Sequence, residues 1–236
     1  MNEALKTFLE TRDLDDLLEG RANISELDRE NETEILRILK EWTNIQAIAN
    51  LLMYPNLIPE TNRIDYVLKG LRETNFNYLV LASVVGMGEL NVESLSPQLI
   101  TEVINQLIVI AKSDRGLIAE RASVFLATRL WHFGANYASQ IIELLDRPSD
   151  VVRHNTLVAL IPLVGLENIR RFINNAVQKG LLSTVAQSYT EQRLATISGF
   201  SQNNQVDISK FDLDMLGVPL LSYIPNLSDY APKIKK

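Results

Sequence analysis

The sequence predicts an all-α chain: a short α-solenoid of antiparallel helix pairs followed by an irregular C-terminal tail. Three observations predict it. Apolar residues recur at i, i+3 and i+4 over segments of helical length between Glu32 and Ser198. A spacing of Arg, a small residue and Gly returns in successive segments. The β-branched residues do not alternate with polar ones over enough positions for a sheet, and the Gly-rich strand-to-helix turns of an α/β fold are missing.

The elements follow in order. Residues 1–60 read as N-terminal helices that cap the stack, 61–200 as the repeats, and 201–236 as a Pro-containing tail or cap. Asp13 is an N-cap for a short helix ending near Gly20. A long helical run covers Glu32 to Met53, with a possible break at Thr43 and Asn44. Tyr54-Pro55 ends it, because the residue before a proline avoids the α region. Asn62 to Glu73 and Asn75 to Val85 read as a hairpin. At Ser96-Pro97, Ser96 caps and Pro97 suits the first helical position. From there Ile100, Val103, Ile104, Leu107, Ile108 and Ala111 mark a wide apolar face, with Ile118 to Phe133 as the antiparallel partner. Tyr137 to Leu145 and Asp150 to Val164 form the next pair, capped by Ser149. Pro162 removes an N–H, so a kink or early end is expected there. Glu167 to Gln178 and Leu182 to Ser198 form the last pair, with Gly180 as a stop between them.

The stretch DRPSDVVRHNTLVALIPLVG, Asp146 to Gly165, carries the most specific signal. Pro148 and Asp150 mark a turn, Val152-Arg153 opens a helix, Ala159 follows six residues after the Arg, and Gly165 closes it. Arg121, Ala127 and Gly134 repeat the spacing 32 residues earlier (153−121), and Phe76, Ala82 and Gly88 form a weaker copy with Phe in place of Arg. The pattern resembles the second half of a HEAT repeat, and the offsets bracket the period of about 40–47 of such helical pairs. The resemblance implies that Arg121 and Arg153 pair with nearby acids, Glu120 and Asp150 being the nearest, in a polar ladder. Removing Arg153 would then cost about 1–3 kcal/mol if a buried partner were stranded.

Composition narrows the chemistry. The chain has no cysteine, which excludes disulfides, thiolate metal sites and cysteine nucleophiles. No apolar run is long enough to span a bilayer, and the N-terminus lacks the apolar core of a secretory signal. A cytoplasmic protein with no membrane partner is expected. Residues 1–32 hold ten acids and four bases, net −6, which equals the charge of the whole chain, so the remainder sums to zero. A near-neutral body lacks the clustered cations that nucleic acid requires.

No catalytic, cofactor or metal site is legible. His132 and His154 make neither an i, i+4 metal pair nor HExxH, and no phosphate-cradling glycine motif occurs. Asp15-Asp16 and Asp212–Asp214 read as surface acids, since acid–base work needs a pocket that separates their pKa values. Arg121, Trp131, Arg153 and His154 are the candidate partner-binding residues. Trp131 reads first as core and second as a groove-facing anchor, and His154 as surface or groove. The expected function is a non-enzymatic adaptor or scaffold whose concave face binds another protein. The alternatives are a structural subunit docking through its tail, or an enzyme on a HEAT-like scaffold. The resemblance reaches two such enzymes, glycosylases for alkylated DNA bases and phycobilin lyase subunits. The neutral body disfavours the first. The tail carries apolar residues such as Leu213, Leu216, Leu220 and Ile224, which are expected to pack on the last helices.

Overall fold

The structure, a computed structural model, describes residues 3–12 and 29–203. The expected helix from Asp13 to Gly20 and the expected burial of Leu213, Leu216, Leu220 and Ile224 lie outside the described residues. All regular structure among the described residues is helical, as the sequence predicts. The chain divides by its own contacts into two compact units that part between Gln106 and Leu107.

The first unit opens with α1, Glu3–Glu10. Its Leu5, Phe8 and Leu9 share one face and are buried. The long run from Glu32 breaks into α2, Arg29–Glu41, and α3, Ile45–Met53. The joint is Trp42, a non-glycine residue in the left-handed region at φ 53°. Asn44 then starts α3 by accepting a hydrogen bond from the Ala47 N–H at 3.2 Å. Pro55 ends α3 as expected and opens a short 3-10 turn, Pro55–Leu57.

The predicted hairpin is present as α4, Glu60–Leu71, and α5, Asn77–Gly86, and α5 also packs on α3. Two glycines permit this closeness. A Cβ on Gly86 would collide with the Leu52 carbonyl of α3, and one on Gly70 would collide with the Ser83 hydroxyl of α5. The interior is polar as well as apolar. The Asn50 amide donates to the Phe8 and Thr11 carbonyls at 2.8 and 2.9 Å, and Gln46 donates to Thr11 at 3.1 Å. These α3 side chains thus satisfy carbonyls that the end of α1 leaves open. After two more 3-10 turns, Met87–Glu89 and Val92–Ser94, α6 runs from Pro97 to Ala111 and carries the division between the units. The Leu99 N–H reaches Ser96 Oγ at 3.4 Å, so the predicted cap is in place.

The second unit holds α7, Leu117–Arg129, then a 3-10 turn, Leu130–Phe133. The expected helix from Tyr137 to Leu145 contains only one α-turn, α8, Ala138–Ile141, between 3-10 segments Ala135–Tyr137 and Ile142–Asp146. Next come α9, Asp150–Val164, α10, Leu166–Gln178, and α11, Thr184–Asn203. Pro162 does not end α9, which continues for two residues. A proline this close to the C-terminus lies within the final turn. Gly165, at φ 88°, closes the helix by donating to Ile161 at 2.8 Å. Gly180, at φ 69°, closes α10.

Helices α7 and α9 lie side by side and run the same way. Ser149 at the start of α9 donates to Glu120 near the start of α7 at 2.7 Å. One turn further on, Asn155 donates to Ser123 at 2.9 Å. Ser123 and Asn155 each follow a motif Arg by two residues, so the 32-residue spacing read in the sequence is also a contact spacing. Similar separations recur within both units. Trp42–Glu73 and Gln46–Tyr78 span 31 and 32 residues, while Lys112–Glu143 and Arg147–Asp114 span 31 and 33. Ala82, Ala127 and Ala159 are all buried. The weakest copy departs from the pattern: Phe76 precedes the first turn of α5, and Gly88 sits in a 3-10 turn instead of closing a helix.

Candidate functional site

The start of α9 gathers most of the candidate residues. Ser149 caps it, its hydroxyl accepting from the Val152 N–H at 3.4 Å while donating to Glu120. This fixes the first turn against α7 and sets the direction of the next side chains. Arg153 forms an ion pair with Asp150 on its own helix. The Asp150 side chain is 71% exposed, so truncating Arg153 strands no buried acid, and the cost expected for that case does not apply. The guanidinium of Arg153 lies over the Tyr189 ring of α11, 4.6 Å from its centroid. The Tyr189 hydroxyl in turn reaches the Asp150 carbonyl at 3.5 Å. Arg193, one turn along α11 from Tyr189, also lies over that ring, at 5.5 Å.

His154 is not at the surface or in a groove, as the sequence reading expected. It is only 6% exposed, because its position on α9 turns inward. Burial lowers its imidazole pKa from the ordinary 6.5, and the positive charge of Arg193 lowers it further. Arg121, in the matching place on α7, is half-buried. Burial lowers its guanidinium pKa, and the adjacent Glu120 works the other way. Asp150 holds Arg153 directly, and Glu120 accepts the Ser149 bond.

Trp131 is not in the core, the first reading of its position. It sits in the 3-10 turn after α7 with 49% of its surface exposed. The ring stacks on His132 with centroids 3.5 Å apart, and its N–H donates to the Thr128 carbonyl at 3.2 Å. A large exposed ring is thereby held in one orientation. This turn and the Arg153 cluster both belong to the second unit.

Sequence reasoning missed three participants. Tyr189 and Arg193 were legible only as an i, i+4 pair on a terminal helix, with nothing to say that α9 lies opposite. Trp42 lies inside the helical run read from Glu32 to Met53, with nothing in the sequence to mark its turn. In the structure it stacks on Tyr66 with centroids 6.3 Å apart, receives Lys69 over its ring at 3.9 Å, and donates to Glu73 at 3.2 Å. These contacts hold its unfavourable backbone and join the α2–α3 break to α4.

Among the described residues no group of three His, Asp or Glu side chains is arranged to hold a metal. No helix among them is long and apolar enough to cross a membrane. No protein-family model, curated protein or solved structure matches this chain. The likeness to HEAT repeats therefore rests on the residues of this chain alone.

Proposed function

We propose that the chain is a non-catalytic helical-repeat scaffold, a solenoid of antiparallel HEAT-like pairs, that binds another protein in the cytoplasm. The all-helical architecture and the contacts at one-repeat separations support the solenoid. The observation that carries the binding role is Trp131. A tryptophan costs stability when left half in water, since burying a large apolar side chain contributes about 1.5–3 kcal/mol. Here the ring is presented and held, by His132 on its face and Thr128 on its N–H. A rigid aromatic loses little entropy on docking, which is why tryptophan dominates interface hot spots. The neutral body of the chain favours a protein partner over nucleic acid.

The test is capture from an extract of the chain's own cells, comparing wild type with Trp131→Ala. At least one protein is expected to be retained by the wild type and lost by the variant. Affinity should fall by about 2 kcal/mol, roughly thirtyfold in Kd, with the helical circular dichroism unchanged. Equal retention by both would remove Trp131 from the binding surface.

A further inference from the structure

Two guanidinium groups converge on one ring between α9 and α11. Arg153 and Arg193 lie 4.6 and 5.5 Å from the Tyr189 centroid. The ring face attracts each cation but does not neutralise either. Asp150 pairs with Arg153, whereas among the described residues no carboxylate pairs with Arg193. The three side chains therefore leave one positive charge over: two arginines against one aspartate.

Two buried side-chain nitrogens on successive residues of α9 have no hydrogen-bond partner among the described residues. Arg153 Nε is buried and has no hydrogen-bond partner among the described residues, although the rest of that guanidinium serves Asp150. His154, on the adjacent position and 94% buried by its 6% exposure, has an Nδ1 atom equally without a partner. Burial first, and then the positive charge of Arg193, disfavour the protonated form of His154. Buried polar atoms are nearly always satisfied in folded proteins, so two orphans on consecutive residues beside an uncompensated cation need an explanation.

We propose that Arg153, His154 and Arg193 form an oxyanion-binding site that takes a carboxylate or phosphate group beside Tyr189. The chemistry matches on each count. A guanidinium presents parallel N–H donors at the spacing of two oxyanion oxygens. Arg153 Nε supplies a further donor. The imidazole donates from Nδ1 in the matching tautomer or when protonated, and a nearby anion favours protonation. One anionic group restores neutrality to the cluster. The site does not rest on the protein-binding role of Trp131, and the two fail separately: a Trp131 variant that still captures its partner leaves this site standing.

The chain has only two histidines, and this makes the test direct. The full chain, labelled with nitrogen-15 in its histidines, is titrated with inorganic phosphate and, separately, with acetate, at an ionic strength held constant with chloride. The His154 imidazole resonances should shift saturably with at least one of the two anions, while exposed His132 serves as the internal reference. Response to phosphate alone assigns a phosphate-bearing ligand, and response to acetate alone a carboxylate. Arg193→Gln should weaken the binding at least tenfold. Arg193→Lys, which keeps the charge and loses the fork, should weaken it several-fold and covers the case in which the glutamine variant fails to fold. Absence of any saturable His154 response beyond that to chloride overturns the proposal. So does a response that Arg193→Gln or a folded Arg193→Lys leaves undiminished.

Discussion

The two units direct their buried polar side chains at different partners. In the first, buried amides complete the backbone. Asn50 and Gln46 on α3 meet the carbonyls of Phe8 and Thr11, and glycines at 70 and 86 let helices approach to backbone distance. In the second, polar side chains match each other across α7 and α9, and then leave donors on Arg153 and His154 unbonded. A buried polar group that closes a hydrogen bond within the fold stabilises the fold. One that remains open costs stability, as Gln46 Oε1 does in the first unit and Arg153 Nε and His154 Nδ1 do in the second.

Three experiments probe this contrast. The largest effect belongs to Gly86→Ala. The added methyl meets the Leu52 carbonyl, and backbone cannot step aside as a flexible side chain would. A loss on the order of 3 kcal/mol is expected in urea unfolding. Gly88→Ala, with open space around it, should be nearly silent. Equal effects at both positions would mean that α3 and α5 are not in close contact. Next in size is Asn50→Ala, which takes the side-chain donor from the Phe8 carbonyl and leaves Thr11 with Gln46 alone. A cost of about 1–3 kcal/mol is expected, with amide hydrogen exchange accelerated first in residues 3–10. If exchange in that helix is unchanged, the amide bridge does not hold it.

The smallest effect is a slope. His154 is held below its ordinary pKa of 6.5 by burial and by Arg193, so the folded state disfavours the protonated form. The unfolded chain therefore binds the extra proton as pH falls. The neutral imidazole's contribution is fully present above 6.5 and is lost as pH drops from there through the folded-state value. His154→Phe removes that titration and should flatten the fall in urea midpoint between about pH 7.5 and about pH 5.5. An identical fall in both proteins would assign it to other groups.

Local chemistry made most of the fold legible. Ser96-Pro97, Ser149, Tyr54-Pro55, Gly165 and Gly180 act through their own backbone or the adjacent turn, so their roles can be read without knowing what packs nearby. Ala127 and Ala159 were legible because a repeated small residue on a helix face marks a close neighbour. The rest depends on how helices are rotated about their axes. Helix α1 was legible only as one of the N-terminal helices, without bounds, because its apolar stripe is just Leu5, Phe8 and Leu9. The left-handed conformation of Trp42 goes against the preference of its side chain and is imposed by Tyr66, Lys69 and Glu73. The inward turn of His154 and the outward turn of Trp131 differ from expectation for the same reason. The candidate site needed Tyr189 and Arg193 as well, and no spacing in the sequence ties α11 to α9.

The placement of the two tryptophans has a practical consequence. They are the only two in the chain, and one falls in each unit: Trp42 before the division at Gln106, Trp131 after it. Trp42 emits from a stack with Tyr66 under an ammonium group, and Trp131 from a half-hydrated ring against an imidazole. Each unit thus carries its own built-in fluorophore. Single-tryptophan versions, Trp42→Phe and Trp131→Phe, would report the melting of one unit at a time. They would show whether the chain comes apart in one cooperative step or in two, with no dye attached.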